Sequence, residues 1–150
     1  MAVGPLTQVQ YYPIAGFQLG TTEASIKTPG RKDLVVMQAQ AGSSMAGVFT
    51  TNAFCAAPVN LCRRHLQDDS PLALVVNTGN ANANAGTGAM GDADALTCCN
   101  ELAKALDLNS SQILPFSTGV IGEKLPIEKI VSSLPNAINK LDINGWQDAA

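Results

Sequence analysis

Apolar and polar positions follow two different periods along this 150-residue chain. In residues 33–42, Leu34, Val36 and Gln38 fall on one face and Val35 and Met37 on the other, which predicts a strand. A second strand is expected in 43–54, after a turn at Gly42-Ser43-Ser44. Residues 72–77 are short, β-branched and uncharged, the composition of a buried strand. The apolar run Ile113-Leu114-Pro115-Phe116, ending at Ser117, predicts the last one. Between strands the period lengthens to three and four. Pro58 opens a helix with Val59, Cys62 and Leu66 on one stripe. Ala95, Cys98 or Cys99, Leu102 and Leu106 form the apolar face of a second helix, capped by Asp92 or a neighbour, with Glu101 and Lys104 opposite. Pro126 suits the first position of a third, which carries Ile127, Ile130, Val131 and Leu134. Residues 141–150 read as the start of another helix. The first twenty residues mix turn formers and aromatics, Gly16 and Gly20 framing Phe17 and Leu19, and Pro29-Gly30 marks a turn.

Strands alternating with helices predict an α/β layered architecture. Two early strands joined by a short turn imply antiparallel pairing, so the sheet is expected to be mixed. No G-x-G-x-x-G follows the first strand and no G-x-x-x-x-G-K-[ST] occurs, which removes the dinucleotide-binding and P-loop readings.

Composition sharpens this picture. The length fits one domain or part of one, residues 1–150. Charged residues are 14% of the chain, against about 25% in ordinary soluble proteins. So uncharged a surface points to a chain that hides part of itself against a partner or a further segment. A formal net charge of −3 lacks the basic footprint of a nucleic-acid binder. No apolar run approaches the ~20 residues of a membrane span. The opening MAVGPLTQVQ has neither the positive nor the apolar region of a signal peptide, so a cytoplasmic protein is expected. Cys55, Cys62, Cys98 and Cys99 lack C-x-x-C spacing, and His65 is the single histidine. The thiols therefore read as small buried hydrophobes and no metal site is expected. His65 reads as a boundary residue beside an apolar stripe.

Two segments could carry chemistry. Residues 75–95 leave a buried strand through Asn77, Asn80, Asn82 and Asn84 and enter a helix. Asparagines in such a loop commonly bond to the main chain. The alternative is that the loop lines a ligand site at the carboxyl end of a strand. The second segment is Ser117-Thr118-Gly119. Gly119 can turn its N–H outward with no side chain in the way, and the Thr118 hydroxyl can donate beside it. Two donors converging on one point suit a developing negative oxygen. An ordinary strand-end turn, with Thr118 bonding its own backbone, is the competing reading.

Three stretches, AGVFTTNAFCAAPV, ALVVNTGNANANAGTG and LPFSTGVIGEKLPIEKI, occur in an order and spacing that resemble the bifunctional ornithine acetyltransferase / glutamate N-acetyltransferase family of arginine biosynthesis. The likeness runs from about Gly16 to the end. It implies a precursor that cuts itself between an alanine and a threonine, the freed threonine becoming the nucleophile of a second chain. That nucleophile takes acetyl from N-acetylornithine and passes it to glutamate. In the family the Thr and Gly of the S-T-G motif form the oxyanion hole, which here are Thr118 and Gly119. The resemblance implies no bound cofactor, with acetyl-CoA as a co-substrate for many members, and an oligomer of heterodimers. The cleavage site, a substrate-contacting threonine and a lysine are expected beyond Ala150. Position 53, arginine in several relatives, is Ala53 here, read as a surface or interface site. Two rivals stand beside this reading: a related N-terminal-nucleophile amidase or aminopeptidase, and a non-catalytic α/β assembly module.

Overall fold

The computed structural model describes residues 10–83 and 89–150. Four strands, β1 (Phe17–Thr22), β2 (Leu34–Ala39), β3 (Ala73–Asn77) and β4 (Ile113–Ser117), form one sheet in the order β1-β2-β3-β4. The first two pairings are antiparallel and β3–β4 is parallel, so the sheet is mixed, as the pattern predicts. Helices α1 (Ala57–Asp68), α2 (Ala89–Leu106) and α3 (Ile127–Ile138) are joined by a short last helix, α4 (Trp146–Ala149).

The antiparallel partner of β2 is not the expected one. Residues 43–54 form no strand; β1 takes that place. The cause lies in the connection between β1 and β2. The buried Asp33 carboxylate accepts the Ala24 and Ile26 N–H groups, both at 2.7 Å, and so folds β1 back along β2. With β1 on one edge of β2 and β3 on the other, no edge of β2 is left for residues 43–54 to join.

The core lies between the helices and one face of the sheet. Leu34 and Val36 of β2, Ala73 and Val75 of β3 and Ile113 of β4 meet Leu61, Leu102, Ile130 and Leu134 of the helices. Burial of such side chains stabilises by roughly 1.5–3 kcal/mol each. The alternate set is covered less. Val35 is buried, Met37, Leu74 and Val76 are half-buried, and Phe116 is exposed.

Helix α2 buries Ala95, Cys98, Cys99 and Leu102 as its period predicts, with Ala103 added and Leu106 only half-buried, and starts ahead of Asp92, which sits in the first turn rather than at the cap. Pro126 caps α3 from just outside its first turn. The buried stripe of α1 is rotated from the one expected: Ala57, Pro58, Leu61, Cys62 and His65 face inward, while Val59 and Leu66 are half-buried. Those two face a cleft of about 450 Å³ between α1, the end of β4 and residues 46–50.

Candidate functional site

Both parallel strands end in the same way. Asn77-Thr78-Gly79 closes β3, Ser117-Thr118-Gly119 follows β4, and the register Asn77↔Ser117 sets the two tripeptides side by side. The pairing persists past the strand ends. Thr118 N–H donates to the Asn77 carbonyl (3.0 Å), Val120 N–H to Gly79 (3.3 Å), and Ala81 N–H to Val120 (2.9 Å). Residues 118 and 120 thus spend their amides on the neighbouring tip. The Gly119 amide, between them, has no hydrogen-bond partner among the described residues. Glycine is required here. Its φ is +127°, and a methyl group on it would stand 2.5 Å from the Gly79 carbonyl carbon.

Thr118 and Gly119 are both exposed. Of the two donors Thr118 carries, the main-chain N–H is taken by Asn77 and the hydroxyl has no partner among the described residues. The competing reading, a threonine bonded to its own backbone, is not what the fold adopts. No ionisable side chain occurs from Ser117 to Val120, so the groups on offer at this tip are neutral donors.

The asparagines take the structural role. Asn77 Oδ1 accepts the Asn80 N–H (3.0 Å), and Asn80 Oδ1 accepts the Asn82 N–H (2.8 Å). Their amide nitrogens reach across: Asn77 Nδ2 to Ser117 Oγ (2.7 Å), Asn80 Nδ2 to the Glu123 carbonyl (3.1 Å), and Asn82 Nδ2 to the Gly91 carbonyl (2.9 Å). All three are buried. Asn84 lies outside the described residues.

The cleft ends at this tip. Phe49, Val59, Cys62, Leu66, Pro115 and Ser117 are among its lining residues. Along the outer edge of β4, Pro115 offers no N–H, and its carbonyl accepts the Cys62 thiol (3.2 Å). His65 Nδ1 donates to the Ile113 carbonyl (2.7 Å). His65, expected at a boundary, is instead buried and closes the strand edge, because β4 presents that carbonyl toward α1. All four cysteines are buried. Burial pushes the Cys62 and Cys98 thiols up to about 12 and Cys99 higher still, with neighbouring thiols adding to the effect on Cys99, so these sulfurs stay neutral packing groups. Among the described residues no group of three His, Cys, Asp or Glu side chains could hold a metal ion. Ala53 is exposed.

The fold exposes Thr118 and Gly119, neighbours in the chain, together at the tip of β4. It adds Ser117, Asn77 and Gly79, which that reasoning did not assign. The available signal was the repeated Thr-Gly at the ends of two predicted strands.

Comparison with known proteins agrees with this architecture. A family model described as the ArgJ family matches residues 18–150. The arginine biosynthesis bifunctional protein ArgJ of Pseudomonas fluorescens is 51% identical over 150 residues, covering all of this chain and 36% of the relative. Its counterpart in Colwellia psychrerythraea is 50% identical over 149 residues, covering 92% of this chain and 35% of that protein. The chain thus spans about a third of the length of these curated relatives. Among solved structures, ornithine acetyltransferase from Mycobacterium tuberculosis, in complex with ornithine, superposes with a TM-score of 0.84 at 32% identity, covering 92% of this chain and 74% of that one. ArgJ from Bacillus halodurans gives 0.78 at 30% identity, with coverages of 87% and 68%.

Proposed function

This chain belongs to the ArgJ family, and from that premise we propose that it forms the oxyanion-hole part of an enzyme that transfers acetyl from N-acetylornithine to glutamate. The observation that carries the reading is the exposed, unspent pair of donors at the tip of β4, the Gly119 N–H and the Thr118 hydroxyl.

The nucleophile is a threonine outside these 150 residues, freed by self-cleavage after an alanine and activated by its own α-amino group. Its hydroxyl oxygen attacks the acetyl carbonyl, whose oxygen gains the negative charge. The C–N bond breaks, ornithine leaves with the proton, and an acetyl ester remains. Attack by the glutamate amine then regenerates the threonine. In both steps the charge forms on the same oxygen, and donors already aimed there stabilise it without reorganising. The Gly119 amide is suited to this because Gly79 and Asn77 fix the backbone on its two sides. The partner is the second chain of the same precursor, in an oligomer of heterodimers in the cytoplasm. No bound cofactor takes part.

Thr118→Ala in the complete enzyme tests the reading. Loss of one oxyanion donor typically costs ~10²–10³ in rate, and acetyl transfer is expected to fall at least tenfold. The loss of stability stays small, because the hydroxyl is exposed and unbonded. Near-normal turnover removes Thr118 from the mechanism. Omitting glutamate separates transferase from amidase: N-acetylornithine hydrolysed equally fast without it points to the amidase.

A further inference from the structure

The hydrogen-bond polarity around Asn77 leads to a third donor. A backbone N–H can only donate, so the Asn80 N–H must face the oxygen of the Asn77 amide, which it does at 3.0 Å. The amide nitrogen therefore occupies the other branch, 2.7 Å from Ser117 Oγ. An NH₂ group also only donates, so Ser117 Oγ is the acceptor in that bond. Its own hydrogen is left to seek an acceptor elsewhere, and Ser117 has no other side-chain partner among the described residues. Ser117 is one of the residues lining the 450 Å³ cleft, two residues from Gly119.

We infer that Ser117 is a substrate-binding residue, donating its hydroxyl hydrogen to a carbonyl or carboxylate oxygen of the amino-acid substrate, and that Asn77 is the positioning residue that sets its polarity. The inference rests on the functional reading above. It differs from the oxyanion role in kind, since Thr118 and Gly119 meet charge that develops during reaction, whereas Ser117 meets an oxygen already present in the bound substrate.

The test uses the complete enzyme. Ser117→Ala is expected to raise KM for N-acetylornithine roughly threefold to tenfold, the size of one hydrogen bond, while kcat stays within about twofold. Asn77→Asp is the sharper variant. A carboxylate still accepts the Asn80 N–H, but it also accepts from Ser117 and so draws the hydroxyl hydrogen away from the cleft. It should reproduce the KM defect with Ser117 intact, and the double variant should be no worse than either single one. Lowering pH protonates the introduced carboxylate, which can then donate to Ser117 as the native amide does and free the hydroxyl hydrogen again, so the defect should shrink as pH falls. A purely structural role predicts no KM defect at any pH, because Asn77→Asp keeps every local bond. An unchanged KM in Ser117→Ala or in Asn77→Asp overturns the inference, and so does a pH-independent defect. Should Ser117→Ala fail to fold, the pH dependence of Asn77→Asp decides alone. Parent enzyme that moves no acetyl from N-acetylornithine to glutamate overturns the functional reading instead, which keeps the two failures apart.

Discussion

The paired tips of β3 and β4 and the stretch 43–54 are both irregular backbone, and they are held in opposite ways. At the tips the backbone is tied by side chains: the buried Asn77 and Asn80 each bond main chain or hydroxyl through both the oxygen and the nitrogen of the amide, the buried Asn82 bonds the Gly91 carbonyl through its Nδ2, and Gly79 and Gly119 lie in backbone contact. In 43–54 the ties are few. Arg63 Nη2 donates to the Thr50 carbonyl (3.1 Å) and lies over the Phe49 ring, and Asn52 closes a local turn on the Phe54 N–H. Val48 is fully exposed and Phe54 is 67% exposed. The first region is fixed by hydrogen bonds that have one geometry. The second presents apolar side chains that find no cover within the described residues. Fixed backbone is what a donor aimed at a reacting oxygen needs, so the contrast marks which of the two loops can carry preorganised chemistry.

The strongest way to break that contrast is Gly119→Ala. The new methyl group meets the Gly79 backbone at 2.5 Å and must accept a φ of +127°. Backbone cannot yield as a flexible side chain can. A loss of ~3 kcal/mol or more in stability is expected, from the overlap and the strained φ together. Acetyl transfer by the complete enzyme should fall about a hundredfold, since the amide would no longer keep its direction. Denaturant unfolding and steady-state rates measure the two effects. A stable, active Gly119→Ala enzyme would mean that the two tips part freely and hold nothing in place.

Asn80→Ala is expected to act next in size, on stability first. It deletes the bonds to the Glu123 and Lys124 carbonyls and the acceptor for the Asn82 N–H, all at a buried residue. Unsatisfied buried groups of this kind cost ~1–3 kcal/mol, and a loss of about 2–3 kcal/mol should appear in the denaturation midpoint. A loss under about 0.5 kcal/mol would show that water replaces these bonds, and the tips would then be no better held than 43–54.

These two regions also show what could be read from the residues alone. Strands β2, β3 and β4 and helices α2 and α3 were legible because a local period records which face is buried. Strand β1 was not. Gly20 at its centre has no side chain to record a buried face, and it is glycine because the C-terminal end of α3 and the turn after it, more than a hundred residues away, pack directly against it. Residues 43–54 have the apolar content of a strand, and no local pattern records that both edges of β2 are already taken. At the site, Thr118 and Gly119 stood out as small polar residues following an apolar run. The direction of the Ser117 hydroxyl did not, because it depends on an asparagine forty positions away. The Thr-Gly doublets were visible, but they acquire meaning only when parallel pairing sets residue 77 beside 117.

The smallest expected effect completes the comparison. Val48→Ser in the 150-residue chain changes a side chain that is fully exposed, although it borders the cleft. A residue that buries nothing on folding loses nothing when made polar, so unfolding free energy should move by no more than about 0.5 kcal/mol. The same substitution made on the sheet face, at Val36, which is fully buried, removes core contacts and places an unpaired hydroxyl in the interior. It serves as the internal scale for the measurement. A Val48→Ser loss above about 1 kcal/mol would require the valine to be covered in solution. Residues 43–54 would then be a packed element, and the distinction between a bonded tip and an unheld segment would fail on that side.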